Sequence, residues 1–126
     1  MSTSTIIDNL ELLHLHDSMV TSFEVLTAKA RCRIRLDVAA VLRTKKGDRF
    51  NPLVRYAPAL LILEGVREIA FEGRYQLNAT IMNIEARALP DGANVEFEFE
   101  LSGGHDADAY LVKLRIVAKD FALGPG

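Results

Sequence analysis

Polar and apolar residues alternate strictly over two stretches of the chain. One is Arg31-Cys32-Arg33-Ile34-Arg35-Leu36-Asp37-Val38 and the other is Val95-Glu96-Phe97-Glu98-Phe99-Glu100-Leu101. Successive side chains of a strand point to opposite sides, so a period of two marks a strand with one wet face and one buried face. The same reading carried along the chain predicts seven strands. They fall at about Met19–Leu26, Ala30–Leu42, Ala59–Leu63, Val66–Phe71, Leu77–Ala88, Asn94–Leu101 and Tyr110–Ala118.

Ahead of the strands, Ile6, Leu10 and Leu13 share one face of a short helix that Ser4 or Thr5 can cap. His14-Leu15-His16-Asp17-Ser18 reads as a turn into the first strand. The polar segment Arg43–Arg49, with Gly47, marks an exposed connection, and Pro90-Asp91-Gly92 is the clearest turn. The last two strands are expected to form a hairpin. Its inward pairs are Phe99 with Val112, Phe97 with Leu114 and Val95 with Ile116, which sets Glu98 against Lys113 and Glu96 against Arg115.

Strands joined by turns, with a helix only at the start, predict a mainly β fold. The expected architecture is an antiparallel β-sandwich or a strongly bent, partly open barrel of about seven strands with one short N-terminal helix. The whole chain, 1–126, reads as one domain. Residues 1–18 form the helix and turn lead-in, 19–120 the strands, and 121–126 a loose tail.

Composition narrows the function. A chain of 126 residues with 49% hydrophobic and 25% charged residues can close a core without a disulfide or a metal. A net charge of -2 lacks the basic excess of a nucleic-acid binder. The single cysteine, Cys32, falls on the apolar side of its strand and reads as a small buried hydrophobe. No stretch has the apolar length of a membrane span, and Met1-Ser2-Thr3-Ser4-Thr5 lacks the basic start of an export signal. The expected compartment is the cytoplasm, with no membrane contact.

Several side chains are candidates for chemistry. His14 and His16 are two apart and point the same way if extended, while His105 lies in a Gly-rich loop beside Asp106 and Asp108. Three convergent histidines would hold zinc with an open position, but the spacing here is not a zinc pattern. The simpler expectation is no metal and no cofactor, with His16 and Asp17 organising a turn. Ser18 has no G-x-S-x-G surroundings and is not read as a nucleophile. Glu96, Glu98 and Glu100 form a carboxylate row, and Arg31, Arg33 and Arg35 a matching guanidinium row. Such rows are ordinary solvated faces, yet an arginine ladder also suits an acidic protein partner. Leu60-Leu61-Ile62-Leu63 and Ile81-Met82-Asn83-Ile84 put apolar residues on both sides of a strand, which suggests a homodimer or a docked partner.

Leu15-His16-Asp17-Ser18, followed by an alternating strand and a long second strand, resembles the start of several small, uncharacterised bacterial β-rich families. Some of these look like immunity proteins of polymorphic toxin systems. Leu63-Glu64-Gly65-Val66 and Leu114-Arg115-Ile116 are similar to the same layout. The resemblance implies a binding protein and no catalytic residues. The expected function is therefore a non-catalytic protein-binding domain, with Arg31, Arg33 and Arg35 facing the partner. The alternatives are a small-molecule-binding β domain and, third, a metal-dependent enzyme using His14, His16 and His105.

Overall fold

The computed structural model describes residues 2–11, 13–15, 18–43, 53–73, 79–103 and 110–125; at 11, 13–14, 38–43, 53–57, 110 and 125 it describes the backbone alone. The elements are α1 (Thr3–Glu11), β1 (Leu13–His14), β2 (Met19–Leu26), β3 (Arg31–Arg43), β4 (Leu53–Glu64), β5 (Glu68–Glu72), β6 (Ala79–Ala88), β7 (Val95–Gly103), β8 (Tyr110–Ala118) and β9 (Asp120–Pro125). Eight strands form one antiparallel sheet in the order β5-β8-β7-β6-β2-β3-β4-β9, and β1 pairs with β3 beside that path. The fold is mainly β, open rather than closed, with one short N-terminal helix.

The sheet is bent into two layers. In the β6 layer (β5-β8-β7-β6) the inward rows are Ile69-Ile116-Phe97-Ala86 and Phe71-Leu114-Phe99-Ile84. In the β3 layer (β2-β3-β4-β9) they are Val25-Cys32-Leu63-Phe121 and Phe23-Ile34-Leu61-Leu123. The layers meet across this apolar interior. Phe97 and Phe121 pack edge to face at 6.0 Å, and Phe23 and Phe71 do so at 5.3 Å. Cys32, Leu63, Phe97, Ile116 and Ala118 are fully buried there.

Two features make the bend. Between the layers, β6 and β2 pair only through Met19–Thr80 and Val20–Ala79. Bulges flank this seam at Val20/Ser22 and Ile81/Asn83, and bulges raise local twist. At the other side the chain crosses between layers at two corners, as strands do in sharply bent sandwiches. Lys119 alone separates β8 from β9, and Gly65-Val66-Arg67 separates β4 from β5. The corners are tied by Lys119 N donating to Glu64 O at 2.9 Å and Arg67 N donating to Val117 O at 2.8 Å. Gly65 has φ +64, and a Cβ there would stand 2.9 Å from Lys119 Cγ. A side chain at that position is strained by the dihedral and forces the Lys119 side chain to shift.

Helix α1 begins where Ser2 Oγ accepts the Thr5 N–H at 3.2 Å, so Ser2 is the cap rather than Ser4 or Thr5. It buries Ile6 and Leu10 against the core. Leu13, expected on the same helical face, instead opens β1 and pairs with Val41.

The hairpin of β7 and β8 keeps the expected faces but shifts by two residues. Phe97 lies opposite Ile116, Phe99 opposite Leu114 and Leu101 opposite Val112. Alternation fixes only parity, so any even slip satisfies it. The segment 121–126, expected as a tail, is mostly strand: Asp120–Pro125 pairs with Ala59–Glu64, placing Phe121 and Leu123 on the core side.

Candidate functional site

The two layers present different outward faces. On the β6 layer the cross-strand rows read Glu68-Val117-Glu96-Arg87, then Ala70-Arg115-Glu98-Glu85, then Glu72-Lys113-Glu100-Asn83. Six carboxylates face three cations, so this surface is acidic. Five of its groups form one continuous chain. Arg115 binds Glu68 at 2.8 Å and also Glu96, while Arg87 binds Glu96 at 3.0 Å and Glu98 at 2.9 Å. The bonds to Glu96 and Glu68 hold Arg115 even more firmly in its charged form. The expected pair Glu96–Arg115 is present as a diagonal contact, and Glu98 pairs with Arg87 rather than Lys113.

On the β3 layer the rows read Leu26-Arg31-Glu64-Asp120, then Glu24-Arg33-Ile62-Ala122, then Ser22-Arg35-Leu60-Gly124. Arg31 Nε stands 2.8 Å from Glu64 Oε1 and Arg33 Nη1 stands 3.4 Å from Glu24 Oε1. Arg35 is exposed, has Ser22 and Leu60 as its cross-strand neighbours, and forms no ion pair among the described residues. The three rows together carry three arginines and three carboxylates, and the surplus of cations is confined to the last two, two arginines against one carboxylate, beside an apolar strip of Leu60, Ile62 and Ala122. Leu60 and Ile62 are half-buried and point outward, while Leu61 and Leu63 fill the core. In the other run with apolar residues on both sides, the bulge leaves Ile81 buried and Met82 exposed.

A third feature lies at the corner where the interior opens. Val25 and Phe71 face inward by register yet are 42% and 41% exposed. Beside them the 3-10 turn Thr27–Lys29 and the β4–β5 corner border an open pocket of about 240 Å³. Val25, Leu26, Val66 and Ile69 supply its apolar wall, and Arg31 and Arg67 its cations. The two sides are joined by Val66 N donating to Ala30 O at 2.7 Å, with Ala30 in the left-handed conformation at φ 48.

The remaining candidates behave as follows. Among the described residues no group of three or more His, Cys, Asp and Glu side chains is placed to hold a metal. His14 lies in β1 with its backbone opposite Ala40, and His16, Asp17 and His105 fall outside the described residues. The carbonyl of Ser18 accepts the Ile81 N–H at 2.8 Å, so this serine ties the lead-in to β6. Burial pushes the Cys32 thiol up to about 12, which keeps it protonated and inert. The turn after β6 holds a residue that sequence reasoning passed over. Asn94 is buried, and its Nδ2 donates to Asp91 Oδ2 at 2.7 Å. That bond, with the Ala93 and Asn94 N–H groups, lowers Asp91 to about 2. Among the described residues no helix is long and apolar enough to cross a membrane.

No family model, no curated protein and no solved structure matches the chain.

Proposed function

We propose that the protein is a non-catalytic binding domain that docks an acidic protein partner on the outward face of its β3 layer. The observation that carries this reading is the unequal treatment of arginines. Arg87 and Arg115 are each held by two carboxylates, while Arg35 is exposed and has only Ser22 and Leu60 across from it. An open guanidinium beside an apolar strip suits a partner that offers carboxylates next to apolar groups. The acidic face of the β6 layer repels the same partner, which orients the encounter. An immunity-like role in the cytoplasm, binding a toxin, is the form of this reading that the Leu15-His16-Asp17-Ser18 layout suggests.

The experiment compares proteins retained by the native chain and by an Arg33→Glu/Arg35→Glu variant, then reconstitutes any difference from purified components. The expected result is a stoichiometric complex with an acidic protein, weakened at least about tenfold by the double variant and by added salt. Equal binding of native and variant chains sinks the proposal. So does a mass that doubles with concentration and is insensitive to the variant, which would mean self-association through another surface.

A further inference from the structure

The sheet ends in two edge strands, β5 and β9, and they differ. Alternate N–H and C=O groups of a terminal strand point away from the sheet and are open to another strand. β9 blunts its edge with Gly124 and Pro125, and Pro125 has no N–H to give. β5 carries neither residue type, and its pairing with β8 runs without a bulge. Helix α1 lies elsewhere, on β6, β1 and β7, and every residue of β5 except Ile69 is exposed. The interior is also incomplete at this edge. Phe71 points inward, with Leu114 beside it on β8 and Phe23 across from it at 5.3 Å, yet it is 41% exposed. The side left open is the one away from β8, where a further strand would lie.

We infer that the free edge of β5 takes up an extended segment of a partner protein in which basic and apolar side chains alternate over five residues, the length of β5. The edge selects a strand, because only extended backbone presents its N–H and C=O groups at the matching spacing. Parity then selects the side chains. Positions opposite Ile69 and Phe71 face the interior and suit apolar groups, which cover the open flank of Phe71. Positions opposite Glu68 and Glu72 face outward and suit cations. Glu68 is already held by Arg115 at 2.8 Å, whereas Glu72 lies opposite Lys113 and makes no ion pair among the described residues. Glu72 therefore carries most of the charge selection. The same carboxylates turn away a second copy of this chain. Two β5 strands paired antiparallel in full overlap set Glu68 against Glu72 at both ends, and like charges directly opposite are destabilising. The site is separate from the arginine face and takes a partner segment of the opposite charge.

Amide-resolved NMR titration of the full chain with the end-capped peptide Lys-Val-Lys-Val-Lys tests this. Its isomer Lys-Lys-Val-Val-Lys keeps the charge without the alternation, and Glu-Val-Glu-Val-Glu keeps the alternation with the charge reversed. The first peptide is expected to give saturable shifts centred on Glu68–Glu72, with an affinity at least about tenfold above either control. Only alternate N–H groups of the peptide face β5. Of two N-methylated forms, one methylated at the valines and one at the lysines, at least one should therefore lose binding. Glu72→Lys alters an exposed side chain, so the fold should persist, as spectral dispersion will show, and it should weaken the peptide severalfold. Equal binding of either control, full binding of both methylated forms, shifts centred on Glu96–Glu100, shifts that do not saturate, or insensitivity to Glu72→Lys would each overturn the inference.

Discussion

The outward faces of the two layers are built from the same alternating pattern but differ in how their charges are used. On the β6 layer Glu68, Arg115, Glu96, Arg87 and Glu98 form an unbroken chain across four strands. On the β3 layer three arginines stand in a row, and contact with carboxylates weakens along it from Arg31 at 2.8 Å to Arg33 at 3.4 Å to the open Arg35. A charged row thus has no fixed meaning. Its neighbours on adjacent strands decide whether it holds the sheet together or stays available to another molecule.

That comparison presumes two layers around one interior, and the largest effect tests this first. Phe97 is fully buried and meets Phe121 from the opposite layer. Phe97→Ala should lower unfolding stability by about 3–5 kcal/mol in a denaturant titration. A cost below about 1 kcal/mol would mean the layers do not share that core.

The corner that divides the faces comes next. Gly65→Ala forces a Cβ onto Lys119 at a left-handed backbone position. A loss of about 1–2 kcal/mol is expected. No loss would show that the β4–β5 crossing is not where the structure places it.

A subtler test concerns the turn that faces Arg67. Asp91 sits well below its ordinary value, at about 2, chiefly through the Asn94 side chain. A carboxylate whose pKa is depressed by folding stabilises the fold at pH above its unfolded value, and that stabilisation is lost as pH falls through its folded value. Asp91→Ala should therefore be less stable than the native chain from neutral pH down to about pH 4, and the gap should close toward pH 2. A gap constant across that range would remove the Asp91–Asn94 pairing as its cause.

Much of the fold was legible in the residues. Met19–Leu26 and Tyr110–Ala118 match β2 and β8 because apolar and polar positions mark both ends. The face of Arg31, Arg33 and Arg35 followed from alternation with Cys32, Ile34 and Leu36. Three things were not legible, for different reasons. β9 offers only Phe121 and Leu123 as inward residues and ends in Gly124-Pro125, which reads as a tail until β4 supplies its partner. The two-residue slip of β7 on β8 is invisible to parity. The corner pocket is assembled by a hydrogen bond between Ala30 and Val66, residues that no local pattern links. The same holds for the charges: which arginine is engaged depends on strand neighbours, and Glu64 and Glu24 come to Arg31 and Arg33 from different strands.

The central claim is that one arginine row binds outward while the other binds within. It is tested most directly by measuring partner affinity and unfolding midpoint together for two double variants, Arg33→Ala/Arg35→Ala and Arg87→Ala/Arg115→Ala. A split is expected. The first pair should lose partner affinity by about tenfold or more with its midpoint nearly unchanged, and the second should lose stability while the folded protein keeps its affinity. If both pairs lose affinity alike, or if only the Arg87 and Arg115 pair does, the β3 layer is not the docking face.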